Sequence, residues 1–320
     1  MAPGARQPAR RRARRSPRSR LVRAHLIAAA VRVLALLFRA LPWPAAQGLG
    51  RALGRLGWRF ARRDRRRALE HLALAFPEAG RAERERLARA SYLHLGANLG
   101  EVLWLLTRRC GAVLRHVEMI GAEAVEALQA GGRPVLFITG HCGNWELLAA
   151  AFSCRFEPAT VVARAPDEAP LQRLAAGFRG RFGTRTVERG EAGAAKELLR
   201  ALRAGGALAM LIDQDTRVEG VWVPFFGRPA YTPVGAARLA LRRGVTVVPV
   251  FAERLPDGSH RVRFQPPLEL PEDEVEATAL LTRAIEAQIR RVPEQWVWMH
   301  RRWRRQPDPA ETAGASGASG

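Results

Sequence analysis

The chain has 320 residues, enough to bury a substantial core as one large α/β domain or two small ones, so its size excludes neither an enzyme nor a binding protein. Its net charge of +22 raises nucleic acid or an anionic membrane as partner, but Lys196 is the single lysine among 52 basic residues. Heavy use of arginine, alanine and glycine points to a compositional bias, and part of the charge is background. Cys110, Cys142 and Cys154 form no CxxC pair, which indicates neither a disulfide framework nor a structural zinc site and favours a reducing compartment.

No Asp or Glu precedes Asp64, and "MAPGARQPARRRARRSPRSR" carries eight arginines with almost nothing apolar, so residues 1–20 read as a disordered basic arm. Residues 21–46, "LVRAHLIAAAVRVLALLFRALPWPAA", are apolar except for Arg23, His25, Arg32 and Arg39. The longest uncharged run falls short of the ~20 residues of an ordinary transmembrane helix, and no cleavage site marks a secretory signal. The segment predicts a membrane-anchoring helix that lies in the interface or spans obliquely with its arginines snorkelling. Flanking positive charge assigns its N-terminus to the cytoplasmic side. A buried soluble helix is the alternative.

A long helix is predicted over residues 80–107, with Leu87, Leu93, Leu95, Leu99, Leu103 and Leu106 as its apolar positions. The pattern then changes to short β-rich runs, "RPVLFITG", "ATVVAR", "ALAMLID", "VTVVPVFAER" and "RVRFQPPLEL", separated by helical stretches at 191–203, 234–243 and 272–291. This alternation predicts an α/β domain with a central sheet covered by helices. Residues 306–320 are low-complexity and read as an unstructured tail, and the chain has no internal repeat.

The chemistry gathers in "FITGHCGNWELLAAAF", residues 137–152. A buried strand delivers His141 at its carboxyl end, where ligands of α/β sheets usually sit, and Asn144 is a good N-cap for a helix starting at Trp145. Glu146 then falls in the first helical turn, where its carboxylate could fix the His141 tautomer and leave the other ring nitrogen as a base. No G-x-S-x-G elbow occurs, so the hydroxyl activated by such a base belongs to a substrate. Cys142 as nucleophile is an alternative, although neighbouring loop side chains usually diverge.

"GHCGNWELLA" resembles the His-x4-Asp/Glu block of the glycerolipid acyltransferase superfamily, and its Gly-Asn-Trp-Glu form is similar to the late acyltransferases of lipid A biosynthesis, the lauroyl and myristoyl transferases. "LALAFPE", Arg164 in "VVARAPD", "RFGTRTVERG", "LIDQD", "GVWVPFFGRPAYTPVGAARLA", "VVPVF" and "PEQWVWMHRRWR" resemble that family in order, over roughly residues 24–305.

The resemblance implies a glycerolipid-acyltransferase-like domain over residues 47–305 that moves a fatty acyl chain from an acyl carrier protein (ACP) thioester to a hydroxyl of a membrane glycolipid, a lipid A precursor. It makes His141 and Glu146 the catalytic pair. Arg164 would hold a phosphate, Asp213 would orient Arg164 or the acceptor, and Gln214, Asn144, Phe225, Phe226 and Arg228 would complete the substrate site, with the two phenylalanines lining an acyl slot. No cofactor or metal is implied. The expected partners are acyl carrier protein, the glycolipid acceptor and an anionic membrane surface, without nucleic acid, at the cytoplasmic face of the bacterial inner membrane.

Four alternatives stand beside this reading. Another lipid acceptor, such as a phosphatidylinositol mannoside or a lysophospholipid with an acyl-CoA donor, fits the same motif; a Cys-His enzyme would use Cys142. A metal-dependent glycosyltransferase would use Asp213 and Asp215 of "DQD". A membrane or nucleic-acid binding module would use Trp296, Trp298 and Trp303 interleaved with arginines, a pattern that also suits a headgroup region.

Overall fold

A computed structural model describes residues 17–156, 159–163, 168–189, 193–203 and 207–307. The expected basic arm up to residue 16, the tail from residue 308 and Arg164 lie outside the described residues. Helix α1 (Pro17–Arg39) starts inside the segment read as a disordered arm. The anchor expected over 21–46 is two helices, because Pro42 and Pro44 interrupt the backbone hydrogen-bond ladder and α2 (Trp43–Phe60) starts there. Next come α3 (Arg62–Ala75), α4 (Arg81–Leu105), where the long helix was expected, and the short α5 (Cys110–Leu114).

The α/β part runs β1 (Val117–Ile120), α6 (Ala122–Ala130), β2 (Val135–Thr139), α7 (Trp145–Arg155), β3 (Ala159–Ala163), α8 (Ala169–Gly180), β4 (Thr184–Glu188), α9 (Ala194–Arg203) and β5 (Ala207–Leu211). A hairpin of β6 (Gly220–Phe225) and β7 (Arg228–Pro233) follows, then α10 (Gly235–Arg243), β8 (Thr246–Arg254), β9 (His260–Phe264) and α11 (Glu274–Arg291). Seven strands form one mixed sheet in the order β1-β9-β8-β2-β5-β3-β4. The run from β8 to β4 is parallel, and β9 turns back antiparallel to β8. All five residues of β2 are buried, as a central parallel strand requires. Leu136 and Ile138 pack toward α10 and α11, while Val135 and Phe137 pack toward α7, each full burial of a large side chain contributing about 1.5–3 kcal/mol. The fold is therefore the expected helix-covered α/β sheet, parallel-rich rather than wholly parallel.

Helix α2 meets α4 through glycines. A Cβ on Gly50 would lie 2.3 Å from the Gly96 carbonyl oxygen, so only glycine permits the approach. The seam leaves Leu49, Leu53, Leu56 and Phe60 of α2 exposed on its outer side, next in sequence to an α1 whose Leu26, Leu34, Leu36 and Leu37 are also exposed. By length and composition alone, Arg18–Arg39 is long and apolar enough to cross a membrane.

Two sequence expectations are corrected here. Cys110 and Cys154 form a disulfide between α5 and α7, with Cα atoms 5.3 Å apart, so the cysteine count concealed one pair and the free Cys142. Trp296, Trp298 and Trp303 are core residues rather than headgroup or nucleic-acid contacts: they are buried against Phe225 and Phe226.

Candidate active site

Strands β2 and β5 are parallel neighbours paired Thr139 to Leu211 at their carboxyl ends. His141 and Asp213 each follow two residues beyond these paired ends, so strand register brings together two groups 72 residues apart. His141 Nδ1 lies 2.7 Å from Asp213 Oδ1 and donates to it. Asp213 Oδ2 accepts from the His141 backbone N–H at 2.7 Å and from the Trp296 indole at 2.8 Å. Burial by itself raises the Asp213 carboxyl, but the His141 ring and the two N–H donors on Oδ2 outweigh it and hold the group well below the usual carboxylate range. His141 is held by its Nδ1 side, and no hydrogen bond engages its Nε2 among the described residues; its side chain keeps one-fifth exposure, 20%, against 1% for Asp213. A neutral imidazole fixed in this way presents Nε2 as an accessible base.

The predicted partner of His141 is thus corrected. Glu146 hydrogen-bonds the Arg179 guanidinium of α8, at 2.6 and 3.2 Å, and Asp213 takes the ring nitrogen instead. The physical reason is the helix start: Glu146 sits in the first turn of α7, pointing its carboxylate to a cation on α8, while the intervening Trp145 ring stands edge-on to His141 at 5.0 Å. Asn144 caps α7 as expected, accepting from Leu147 N–H at 3.0 Å. Cys142 is fully buried, and burial next to Asp213 pushes its thiol well above the ordinary range, so it is a poor nucleophile.

A second polar cluster lies behind the loop. Glu101 of α4 has no exposure, and its carboxylate accepts from Arg254 at 2.8 and 3.0 Å, Gln47 at 2.6 Å and Asn144 Nδ2 at 2.7 Å, with His260 Nε2 at 3.1 Å. Arg254 also reaches Asn98 Oδ1 and His94 Nδ1, each at 2.5 Å, and Asn98 Nδ2 donates to the Gly143 carbonyl at 2.7 Å. Gly143 has φ +61°, and a Cβ there would be 2.0 Å from the Ala252 carbonyl oxygen. Loop 140–144 is therefore clamped from beneath by hydrogen bonds and backbone fit. Desolvation raises the Glu101 carboxyl, but His260 and Arg254 reverse this and hold it well below its ordinary value.

The other expected site residues are dispersed. Gln214 is half-buried after Asp213, Arg228 is exposed and reaches only the Leu74 carbonyl at 3.4 Å, and Phe225 and Phe226 pack in the tryptophan core. Phe225 is fully buried at the end of β6, while Phe226, its N–H held by Glu286 at 2.6 Å, lines with Arg228 a cavity of about 610 Å³ beside α3. A largely apolar cavity of about 460 Å³ opens between β5, α9 and α10, lined by Leu198, Met210, Leu211, Ile212, Val234 and Leu239 with arginines such as Arg238 and Arg242 at its side. Asp213 and Asp215 do not converge: Asp215 pairs with Arg304 at 2.9 Å and with Arg305. Among the described residues, no group of three His, Cys, Asp or Glu side chains is placed to hold a metal ion.

Residues missed in the sequence had a signal. His94, Asn98 and Glu101 fall at i, i+4 and i+7 on α4, a polar stripe on a helix with many leucines, which is a buried polar face awaiting a cation. Arg179 and Arg254 had none, standing among many arginines.

Fold and site together define an α/β protein with a carboxylate-held, partly exposed histidine at the carboxyl edge of parallel strands. The sequence profile of the bacterial lipid A biosynthesis acyltransferases matches residues 12–305, and the chain belongs to this family of acyltransferases. It is 30% identical over 275 residues to the lipid A biosynthesis lauroyltransferase of Escherichia coli K12, covering 84% of this chain and 88% of that protein. The palmitoleoyltransferase of the same organism is 27% identical over 271 residues, covering 83% and 87%. A phosphatidylinositol mannoside acyltransferase of Mycolicibacterium smegmatis is 25% identical over 272 residues, covering 83% and 88%.

Proposed function

We propose that this acyltransferase moves a fatty acyl chain from an acyl carrier protein thioester to a hydroxyl of a membrane glycolipid, a lipid A precursor, at the cytoplasmic face of a bacterial inner membrane. The observation that carries the reading is His141, held through Nδ1 by Asp213 with Nε2 unengaged. Nε2 takes the proton of the acceptor hydroxyl as its oxygen attacks the thioester carbonyl. When the tetrahedral intermediate collapses, the C–S bond breaks and the thiolate recovers that proton from the imidazolium. Asp213 keeps the ring oriented and stabilises its charge, as the carboxylate does in other His-carboxylate pairs.

Glu146 is the second carboxylate of the centre. It neutralises Arg179 next to the Trp145–His141 contact, so that no unpaired cation opposes the imidazolium. The cavity beside Ile212, one residue from Asp213, has the volume and the lining of an acyl slot. Arg164 follows β3 in sequence and remains the proposed contact for a substrate phosphate.

The exposed leucines of α1 and the Leu49, Leu53, Leu56 and Phe60 stripe of α2 support attachment to lipid. Flotation with vesicles checks this: the full chain should float, and the variant with Leu36, Leu37, Leu53 and Phe60 all changed to Gln should remain at the bottom. Flotation of that variant would move the attachment elsewhere.

The function is tested with purified protein, acyl-ACP and the glycolipid acceptor, and by mass spectrometry of membrane glycolipids from cells with and without the protein. The reading predicts a mass gain of one acyl chain on the glycolipid, and it fails if the gain appears only on a phosphatidylinositol mannoside or a lysophospholipid. An acyl-CoA donor that outperforms acyl-ACP would overturn the donor assignment alone.

A further inference from the structure

A second cavity, of about 340 Å³, lies between α3 and the C-terminal segment, and five arginines line it: Arg63, Arg66 and Arg67 from α3, Arg301 and Arg304 from the segment. Carboxylates neutralise only part of this charge. Arg66 pairs with Glu70 at 3.4 Å, Arg67 with Asp64 at 2.9 Å, and Arg304 with Asp215. Arg63 and Arg301 are exposed and have no hydrogen-bond or ion-pair partner among the described residues.

The placement is costly in the free protein. The motif "RRDRRR" sets its cations at the amino end of α3, where the helix dipole already favours an anion, and Ala61 at the N-cap position provides no side-chain acceptor. Cations gathered against the positive end of a helix repel one another until an anion joins them. Glu70, the partner of Arg66, also lines the cavity, and His71 and Trp303 complete the wall, ring against ring at 5.2 Å; Trp303 is nine-tenths buried, and its indole N–H has no acceptor among the described residues.

The cavity adjoins the reacting centre. Arg304 is tied to Asp215, two residues after Asp213, and His71 of the wall bonds the carbonyl of Trp298, whose ring packs on Trp296, the indole donor to Asp213. We propose that this arginine cavity binds a phosphate group of one of the two substrates of the acyl transfer, a phosphorylated sugar of the acceptor lipid or the phosphopantetheine of the donor. The inference rests on the acyltransferase reading for its substrates, while the anion site stands on its own geometry. Guanidinium groups suit phosphate because their planar forks match two of its oxygens at once.

The experiment uses the full chain in detergent and the double variant Arg63→Ala/Arg301→Ala. Calorimetric titration with inorganic pyrophosphate should show binding by the wild type, weakened 10-fold or more in the double variant with its melting temperature unchanged. No binding by the wild type, or equal binding by both proteins, overturns the site. Kinetics then separates the two sources. If the double variant loses the wild type's preference for a phosphorylated glycolipid over its phosphatase-treated form, the acceptor supplies the phosphate. If it instead loses the preference for acyl-phosphopantetheine over acyl-pantetheine, the donor does. Loss of neither preference overturns the assignment to a substrate. A wild type that binds pyrophosphate yet transfers no acyl chain fails the proposed function and leaves the phosphate site standing.

Discussion

Two carboxylates flank the loop that carries His141, and each is hydrogen-bonded by a basic side chain. Asp213 serves His141 from above the strand ends, and Glu101 serves Arg254 from beneath the loop. Both are buried and held well below their ordinary range, yet their partners differ in access: the His141 side chain keeps 20% exposure and the Arg254 side chain 6%. Every polar bond of the Glu101 cluster is turned inward onto Gln47, Asn98, Asn144, His260 and the loop backbone. The cluster beneath spends its charge on fixing the loop, and the pair above leaves one nitrogen for chemistry. Access of the basic partner, rather than the type of pair, separates the two, and on the proposed mechanism it divides structure from catalysis.

If that division is right, substitutions above and beneath the loop should fail differently. His141→Ala is expected to lower kcat by about 10⁴-fold with the circular dichroism spectrum retained, since it removes the base while buried Asp213 keeps the residue-141 backbone N–H and the Trp296 indole as donors. Glu101→Gln should act on the fold, costing about 3–5 kcal/mol in denaturant titrations because it leaves Arg254 buried without its counter-charge. The sign of its pH dependence follows from the lowered carboxyl. A folded-state value below the unfolded one contributes stability above roughly pH 4 that is lost as pH falls, so the gap between wild type and Glu101→Gln should narrow in acid. A gap that widens in acid would contradict the network.

Smaller effects sharpen the same contrast. Glu146→Gln should lower kcat by about 10²-fold, the lower end for acid-base groups, because it unmasks Arg179 without releasing the ring from Asp213. Cys142→Ala should stay within about threefold of wild-type kcat, since a buried thiol pushed well above its ordinary range is no nucleophile. An acylated Cys142 found by mass spectrometry would reverse that assignment.

Much of the scaffold was legible because its signals are local. The apolar runs at β2, β3, β5, β8 and β9 and the Asn144 cap announce themselves within a few residues. Strand β1, "VEMI", and strand β4, "TRTVE", were not, because their exposed and half-buried edge positions carry little apolar signal. The β6–β7 hairpin hid its turn, since Phe226 at φ 52° replaces the asparagine or glycine that usually marks a two-residue loop.

His141 could be read from its strand end, but its partner could not. Asp213 reaches it only through the register of β2 and β5, whereas Glu146 lies five positions away and invites a local pairing. Trp296 and its neighbours misled for the converse reason: interleaved aromatic and basic residues suit a surface, and only the three-dimensional packing turns the rings inward.

The most direct measurement is kcat for acyl transfer by Asp213→Asn, with folding checked by circular dichroism. An amide there can still receive the Trp296 indole but no longer fixes His141 with Nδ1–H inward and Nε2 free, and loss of the tautomer in such pairs costs up to about 10⁴-fold. The account predicts a folded protein with kcat reduced by 10³–10⁴-fold. A folded Asp213→Asn within about threefold of wild type would contradict it, and would return the orienting role to Glu146.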